Sequence, residues 1–243
     1  MPTQIQAQLH KTETTADTRQ IVGFSFYRIE PAWCRLPAAT KKAQGKELAQ
    51  VVERFSKRLL VRTYSLVGLK AEVDFLIWRV GKTLDELQEM SAAVRGTALG
   101  GYLTMPYAYT SMTKRSTYVD KLDPEHQDRR RFITFAGLRY LFVYPFVKTR
   151  EWYQLPLEQR QAMMDEHIFV GNKYPSVRLH TTYSFGLDDQ EFVMAFETDK
   201  PQDFLDLVME LRGTTGSKYT LRDTPIFTCV AKPFKDILHD LGG

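Results

Sequence analysis

The feature that most constrains this chain is a repeat of itself. Thr63-Tyr64-Ser65-Leu66-Val67-Gly68-Leu69, then Asp74-Phe75, then a helical stretch ending in Arg95-Gly96-Thr97, recurs as Thr182-Tyr183-Ser184-Phe185-Gly186-Leu187, Glu191-Phe192 and Arg212-Gly213-Thr214. Phe75 and Phe192 lie 117 positions apart, and so do Arg95 and Arg212. A constant offset across separate motifs means that one folding unit occurs twice. Any fold assigned to one half must therefore be buildable from the other.

Each half reads as the same order of elements. In the first, residues 21–30 alternate as a strand does, 41–57 carry helical periodicity, 59–67 and 73–80 form a hairpin through Gly68, and a helix over 83–96 precedes a strand over 106–113. The second half gives a strand over 138–146, a helix over 156–170, strands over 176–185 and 190–198, a helix over 201–212 and a strand over 225–231. The order β-α-β-β-α-β is the ferredoxin-like split unit. An antiparallel sheet with an open apolar face must cover it, and two such sheets can cover each other. The expected fold is α+β: duplicated ferredoxin-like units forming a dimeric α+β barrel within one chain. The expected boundaries are a mobile N-terminal arm over 1–19, an N-terminal half over 20–113, a polar linker over 114–137 and a C-terminal half over 138–243.

Length and composition allow one large domain or two of about 120 residues, and the mutual covering of the two sheets makes one fused globule the expectation. With 243 residues, 43% of them hydrophobic, the chain can bury a sizeable core, and 15 Phe, 12 Tyr and 3 Trp favour a β-rich fold with an aromatic-lined interior. The net charge of +4 is mild, and its only dense cluster is Arg129-Arg130-Arg131, so no nucleic-acid partner is expected. Cys34 and Cys229 fit no metal spacing and are expected to be reduced thiols. The first twenty residues are polar and lack the apolar core of a secretion signal, and no apolar run reaches membrane-spanning length. The expectation is a soluble cytoplasmic protein.

The residues suited to chemistry gather in one stretch: Tyr144-Pro145-Phe146-Val147-Lys148, then Glu151-Trp152-Tyr153, then a helix with Asp165-Glu166-His167. At 3.6 residues per turn, Met163, His167 and Val170 share a face, so the imidazole stands on an apolar stripe. A core histidine bonded to a carbonyl would show the same pattern, and Tyr144 and Lys148 alone would pass for an ordinary strand tyrosine and a surface lysine.

Taken together, Tyr-Pro-Phe-Val-Lys, Glu-Trp-Tyr, Glu-His, Lys-Tyr-Pro and Val-Arg resemble the haem-synthesis branch of the chlorite dismutase family, the coproheme decarboxylases, and most of all their actinobacterial type. The resemblance is specific mainly from Leu138 to Thr228. It implies the duplicated fold, haem or coproheme iron bound in the C-terminal half, and a homo-oligomer, commonly a pentamer. It also implies His167 as the axial iron ligand, Tyr144 as the residue that becomes a radical, Lys148 as a propionate-binding or proton-moving group, and Trp152 at the pocket wall. Leu179 falls in the slot over the iron, where chlorite-degrading members carry an arginine, and His180 replaces an asparagine of the pattern. Either His126, in the linker, or His180 is implied as the base that takes a proton from peroxide. Ser217 matches a propionate-binding serine, with helix capping as its plainer role, and one of the linker arginines, Arg130, falls where a propionate-binding arginine occurs.

The activity that the resemblance implies is peroxide-dependent oxidative decarboxylation of iron coproporphyrin III to haem b. Iron coproporphyrin III and hydrogen peroxide are then the partners. Two alternatives remain at this point: chlorite dismutation, and a non-catalytic haem carrier or sensor of the same fold.

Overall fold

The computed structural model describes residues 19–121 and 132–243. The N-terminal half is built from β1 (Ile21–Ile29), a short α1 (Pro31–Cys34), α2 (Ala38–Ser56), β2 (Leu60–Ser65), β3 (Phe75–Gly81), α3 (Leu84–Arg95) and β4 (Leu103–Met112). The C-terminal half follows with β5 (Tyr140–Lys148), α4 (Arg150–Gln154), α5 (Leu157–Asn172), β6 (Arg178–Tyr183), β7 (Phe192–Thr198), α6 (Pro201–Arg212), β8 (Thr220–Arg222), β9 (Phe227–Ala231) and α7 (Phe234–Asp240).

Local chemistry sets several of these ends. Thr83 caps α3 by accepting the Glu86 N–H, while the Glu86 carboxylate accepts the Thr83 N–H, a reciprocal capping box. Pro37 and Pro156 stand immediately before α2 and α5, where a missing N–H costs nothing. The hairpins β2–β3 and β6–β7 turn through Gly68 and Gly186, both at positive φ, which a side chain would strain.

Strand order repeats with the sequence. The N-terminal strands lie in the order β4-β1-β3-β2 and the C-terminal ones in the order β9-β5-β7-β6. The two sheets join where Tyr64 and Ser65 of β2 pair with Ala231 and Val230 of β9, and where Met112 of β4 pairs with Tyr183 of β6. Eight strands thereby close on themselves, leaving only β8 as an appendix on β5, and closure removes the exposed edges on which such sheets aggregate. The interior is aromatic, as expected: Phe24 stacks on Trp78 and Phe26 on Phe227, with Tyr64, Leu141, Val143 and Val193 fully buried around them.

The outer faces differ between the halves, and this difference places the site. Outside the N-terminal sheet, 16 buried residues including Trp33, Phe55, Phe75 and Met90 form a continuous core. Helix α7, from the far end of the chain, completes it with Phe234, Ile237 and Leu238. Outside the C-terminal sheet the hydrophobic cluster of the described residues has six buried members, and seven more, among them Tyr140, Tyr144, Leu179 and Met194, are only partly covered. Among the described residues the second half has no counterpart of α7, and they leave its apolar face incompletely filled.

Strand β5 runs two residues later than its alternation suggests, so Lys148 is still in the strand. Helices α1, α4 and α7 and strand β8 are not foreseen; all span seven residues or fewer, too short for periodicity to register.

Candidate functional site

Alternation along β5 sends Leu141 and Val143 into the barrel and Phe142, Tyr144, Phe146 and Lys148 to the outer side. On the adjoining strand β7, Met194 pairs with Tyr144 and Phe196 with Phe142; on β6, Leu179 pairs with Phe196. Tyr144 stacks on Phe196 with ring centroids 5.8 Å apart, and Phe142 stacks on Phe204 of α6 at 4.1 Å. Sheet and helices therefore enclose a half-filled aromatic wall that carries one phenol.

His167 faces this wall from α5, one turn before Val170, which packs in the same cluster. The residue is partly exposed as a whole, yet burial by the surrounding protein, reinforced by the Lys148 charge and only partly opposed by Glu166, pulls its pKa down to about 4. The imidazole is thus neutral at ordinary pH, and it makes no hydrogen bond to a described residue. Lys148 is held beside it. Its Nζ donates to the Gly216 carbonyl at 2.8 Å and lies 4.5 Å from the ring centre of the buried Trp152. Burial lowers the Lys148 pKa to about 8, against the attraction of Glu191. Burial also raises the Tyr144 phenol, with Asp223 adding and Arg212 opposing, so that its proton stays on.

The turn Thr215–Tyr219 closes one side. Its Thr215 N–H donates to Glu166 of α5, and Gly216 is buried against Met163. Ser217 lies in this turn but donates to the Arg212 carbonyl at 2.7 Å, the capping role that sequence left open. Leu179 shares the face of Tyr144. His180, expected among the cofactor-binding residues, does not: it pairs with Ala195, points into the barrel, packs against Trp78 and sits 2.9 Å from Glu197. Strand alternation, which separates it from Leu179, is the reason. His126 and Arg130 lie outside the described residues.

Two residues of the site escaped the sequence reading. Glu191 accepts both the Lys148 N–H at 2.8 Å and the Tyr153 hydroxyl at 2.5 Å. The repeat held its signal, because Asp74 at the matching position likewise accepts the Ile29 N–H at the end of β1. Phe196, the floor beneath Tyr144, had no signal beyond ordinary strand alternation. Two surface depressions, of about 290 and 570 Å3, lie elsewhere, along α2 and at the β2–β9 seam, and include none of these residues.

This arrangement sets what the site can hold. Among the described residues no three His, Cys, Asp or Glu side chains converge on a metal position. One neutral imidazole over an aromatic wall cannot hold a bare ion, but it suits a metal that brings its other ligands in a flat apolar macrocycle.

Fold and site define a class: a dimeric α+β barrel contained in one chain, with an imidazole beside a half-filled aromatic wall on its second half. The family model described as Chlorite dismutase matches residues 41–232, and the chain belongs to that family. It is 33% identical over 197 residues to the coproheme decarboxylase of Mycolicibacterium smegmatis, covering 76% of this chain and 82% of that one. To the chlorite dismutase of Ideonella dechloratans it is 26% identical over 225 residues, 90% of this chain and 79% of the other. Among solved structures, a variant of the chlorite dismutase from Candidatus Nitrospira defluvii superposes with a TM-score of 0.84 at 29% identity, over 92% of this chain and 95% of that one.

Proposed function

We propose that this protein is a peroxide-dependent coproheme decarboxylase, converting iron coproporphyrin III to haem b. The observation that carries the reading is the presence of Tyr144 and Lys148 on one outer strand face, opposite the neutral His167. A protein that only stored haem would need His167 alone. A chlorite dismutase would gain from a cation over the iron, and Leu179 supplies none. The 33% identity to a coproheme decarboxylase supports the same choice.

In this reading the His167 nitrogen ligates the iron, with no proton to displace above about pH 4. The iron and hydrogen peroxide together supply the oxidising power. Tyr144 contributes a phenol whose hydrogen is intact until the moment of oxidation. Losing an electron and that proton, it can take a hydrogen atom from a propionate carbon. The radical then sits on the propionate carbon next to the ring; with loss of a second electron to the oxidant, the bond from the neighbouring carbon to the carboxylate breaks, and departure of carbon dioxide leaves a vinyl group. Each propionate gives up two electrons, so one peroxide is consumed per decarboxylation. Lys148 holds the carboxylate or moves the proton; two of its ammonium hydrogens remain after the bond to Gly216. Trp152 and Phe196 exclude water from the reacting edge. Because His180 faces the barrel interior, the base that deprotonates peroxide is assigned to His126 in the linker. A cytoplasmic homo-oligomer, of pentameric order by family resemblance, completes the proposal.

The test is to add iron coproporphyrin III to the apoprotein, titrate with peroxide and weigh the extracted porphyrin. Sequential loss of two carboxyl groups is expected, and Tyr144→Phe should bind with an unchanged Soret band while losing nearly all turnover. Intact porphyrin together with rapid dioxygen release from chlorite would overturn the reading.

A further inference from the structure

Tyr144 and Tyr153 differ in the property that governs how a tyrosine is oxidised. A phenol loses an electron readily only if its proton can leave at the same time, because the protonated radical is a strong acid. The Tyr144 hydroxyl makes no hydrogen bond to a described residue. Tyr153, the residue after Trp152, donates to Glu191 Oε2 at 2.5 Å, the length of a charge-assisted O–H···O bond. The acceptor is itself fixed, since the same oxygen takes the Lys148 N–H at 2.8 Å, and the proton therefore has a prepared destination. The Tyr153 ring meets Phe185 edge-on at 5.9 Å, and Phe185 is 48% exposed. Tyr153 thus stands between the wall of the site, marked by Trp152 and Lys148, and the protein surface.

We propose that Tyr153 and Glu191 form a second redox couple, through which an oxidising equivalent not consumed at Tyr144 leaves the site. The electron of Tyr153 fills the hole, its phenolic proton passes to Glu191, and a small one-electron donor such as ascorbate returns an electron to the radical while Glu191 gives the proton back. The couple lets peroxide in excess of substrate be reduced without damage to the cleft. The inference rests on the proposed function for the source of the oxidant. Its test does not require decarboxylation.

Protein loaded with iron protoporphyrin IX is treated with peroxide and a nitroso spin trap, and adducts are mapped by peptide mass spectrometry. In parallel, the apoprotein is oxidised by photogenerated tris(bipyridine)ruthenium(III), which needs no porphyrin. Tyr153 is expected to be a principal adduct site in both arms, and Tyr153→Phe should abolish that adduct. Glu191→Gln is the decisive variant: its amide oxygen can still accept the Lys148 N–H, so the fold is kept, but it cannot accept the phenolic proton as a base. Adduct yield at Tyr153 should fall at least tenfold. An unchanged yield in Glu191→Gln, or adducts elsewhere with none at Tyr153, would overturn the couple. Failure of coproheme decarboxylation with normal Tyr153 chemistry would overturn only the proposed function.

Discussion

The displaced titration of His167 should be readable in the stability of the apoprotein. Its folded pKa is about 4, against 6.5 for a free imidazole, first because of burial and second because of the Lys148 ammonium. Between those two values the unfolded chain binds a proton that the folded chain refuses, so stability must fall as pH drops from 6.5 towards 4. Above 6.5 neither state binds the proton and the penalty is absent. At about 1.4 kcal/mol per pH unit the full span corresponds to roughly 3 kcal/mol, and to about 2 kcal/mol if water at the partly exposed residue screens part of it. His167→Leu keeps a side chain of similar bulk that cannot titrate. Urea unfolding of both proteins from pH 3.5 to 7.5 should give a difference that is flat above pH 7 and grows in favour of the variant as pH falls. Parallel curves, or an NMR titration of the His167 ring near 6.5, would refute the reasoning. They would also remove the reason for expecting iron ligation to survive mild acid.

Glu197 is fully buried and accepts the Ala136 N–H at 2.9 Å while contacting His180 and the partly exposed Arg62, so Glu197→Ala strands two buried donors and removes the counter-charge of the guanidinium. A loss of about 3 kcal/mol is expected, with thermal unfolding roughly 6–12 °C lower. Stopped-flow mixing of the coproheme complex with peroxide separates the two histidines. His126→Ala should slow the reaction by about 100-fold and flatten its rise with pH near ~6.5, whereas His180→Ala should leave both unchanged.

The sequence carried the architecture because duplication doubles every signal: a hairpin such as Thr63 to Phe75 is confirmed by its copy at Thr182 to Phe192. The expected strand over 138–146 puts Tyr144 and Phe146 on one face by its period of two, but Lys148 joins that row only because β5 runs on to residue 148. His180 shows where such reading fails. Family likeness placed it near the iron, but its neighbour Leu179 holds the outer face, and adjacent strand residues cannot share one. Glu191 was illegible for another reason. Its importance comes from Lys148, 43 residues away, and a contact of that span leaves no local pattern.

Why only one of two duplicated halves carries the site follows from comparing equivalent positions. Register makes Ser25, Gly23 and Arg79 the counterparts of Tyr144, Phe142 and Phe196, because Ser25 pairs with Ile77 and Tyr144 with Met194, and Met194 lies 117 positions after Ile77. In the first half a side chain at Gly23 would come within 2.8 Å of Leu87, so α3 lies close on the sheet. Arg79 ties it there, donating to the Leu87 carbonyl at 2.8 Å, to Ser91 at 2.6 Å and to Ser25 at 2.5 Å. In the second half Phe142 stands where glycine was, stacked on Phe204 of α6, and Phe196 replaces the arginine. An aromatic spacer holds α6 away from the strands where glycine let α3 approach. The same exchange turns the floor of the site from a buried guanidinium, which would repel a metal cation and is already committed to Leu87, Ser91 and Ser25, into a neutral aromatic surface on which a phenol can lie. The site is thus a property of small-to-large and charged-to-apolar exchanges within one repeated frame, and the topology alone permits it in either half.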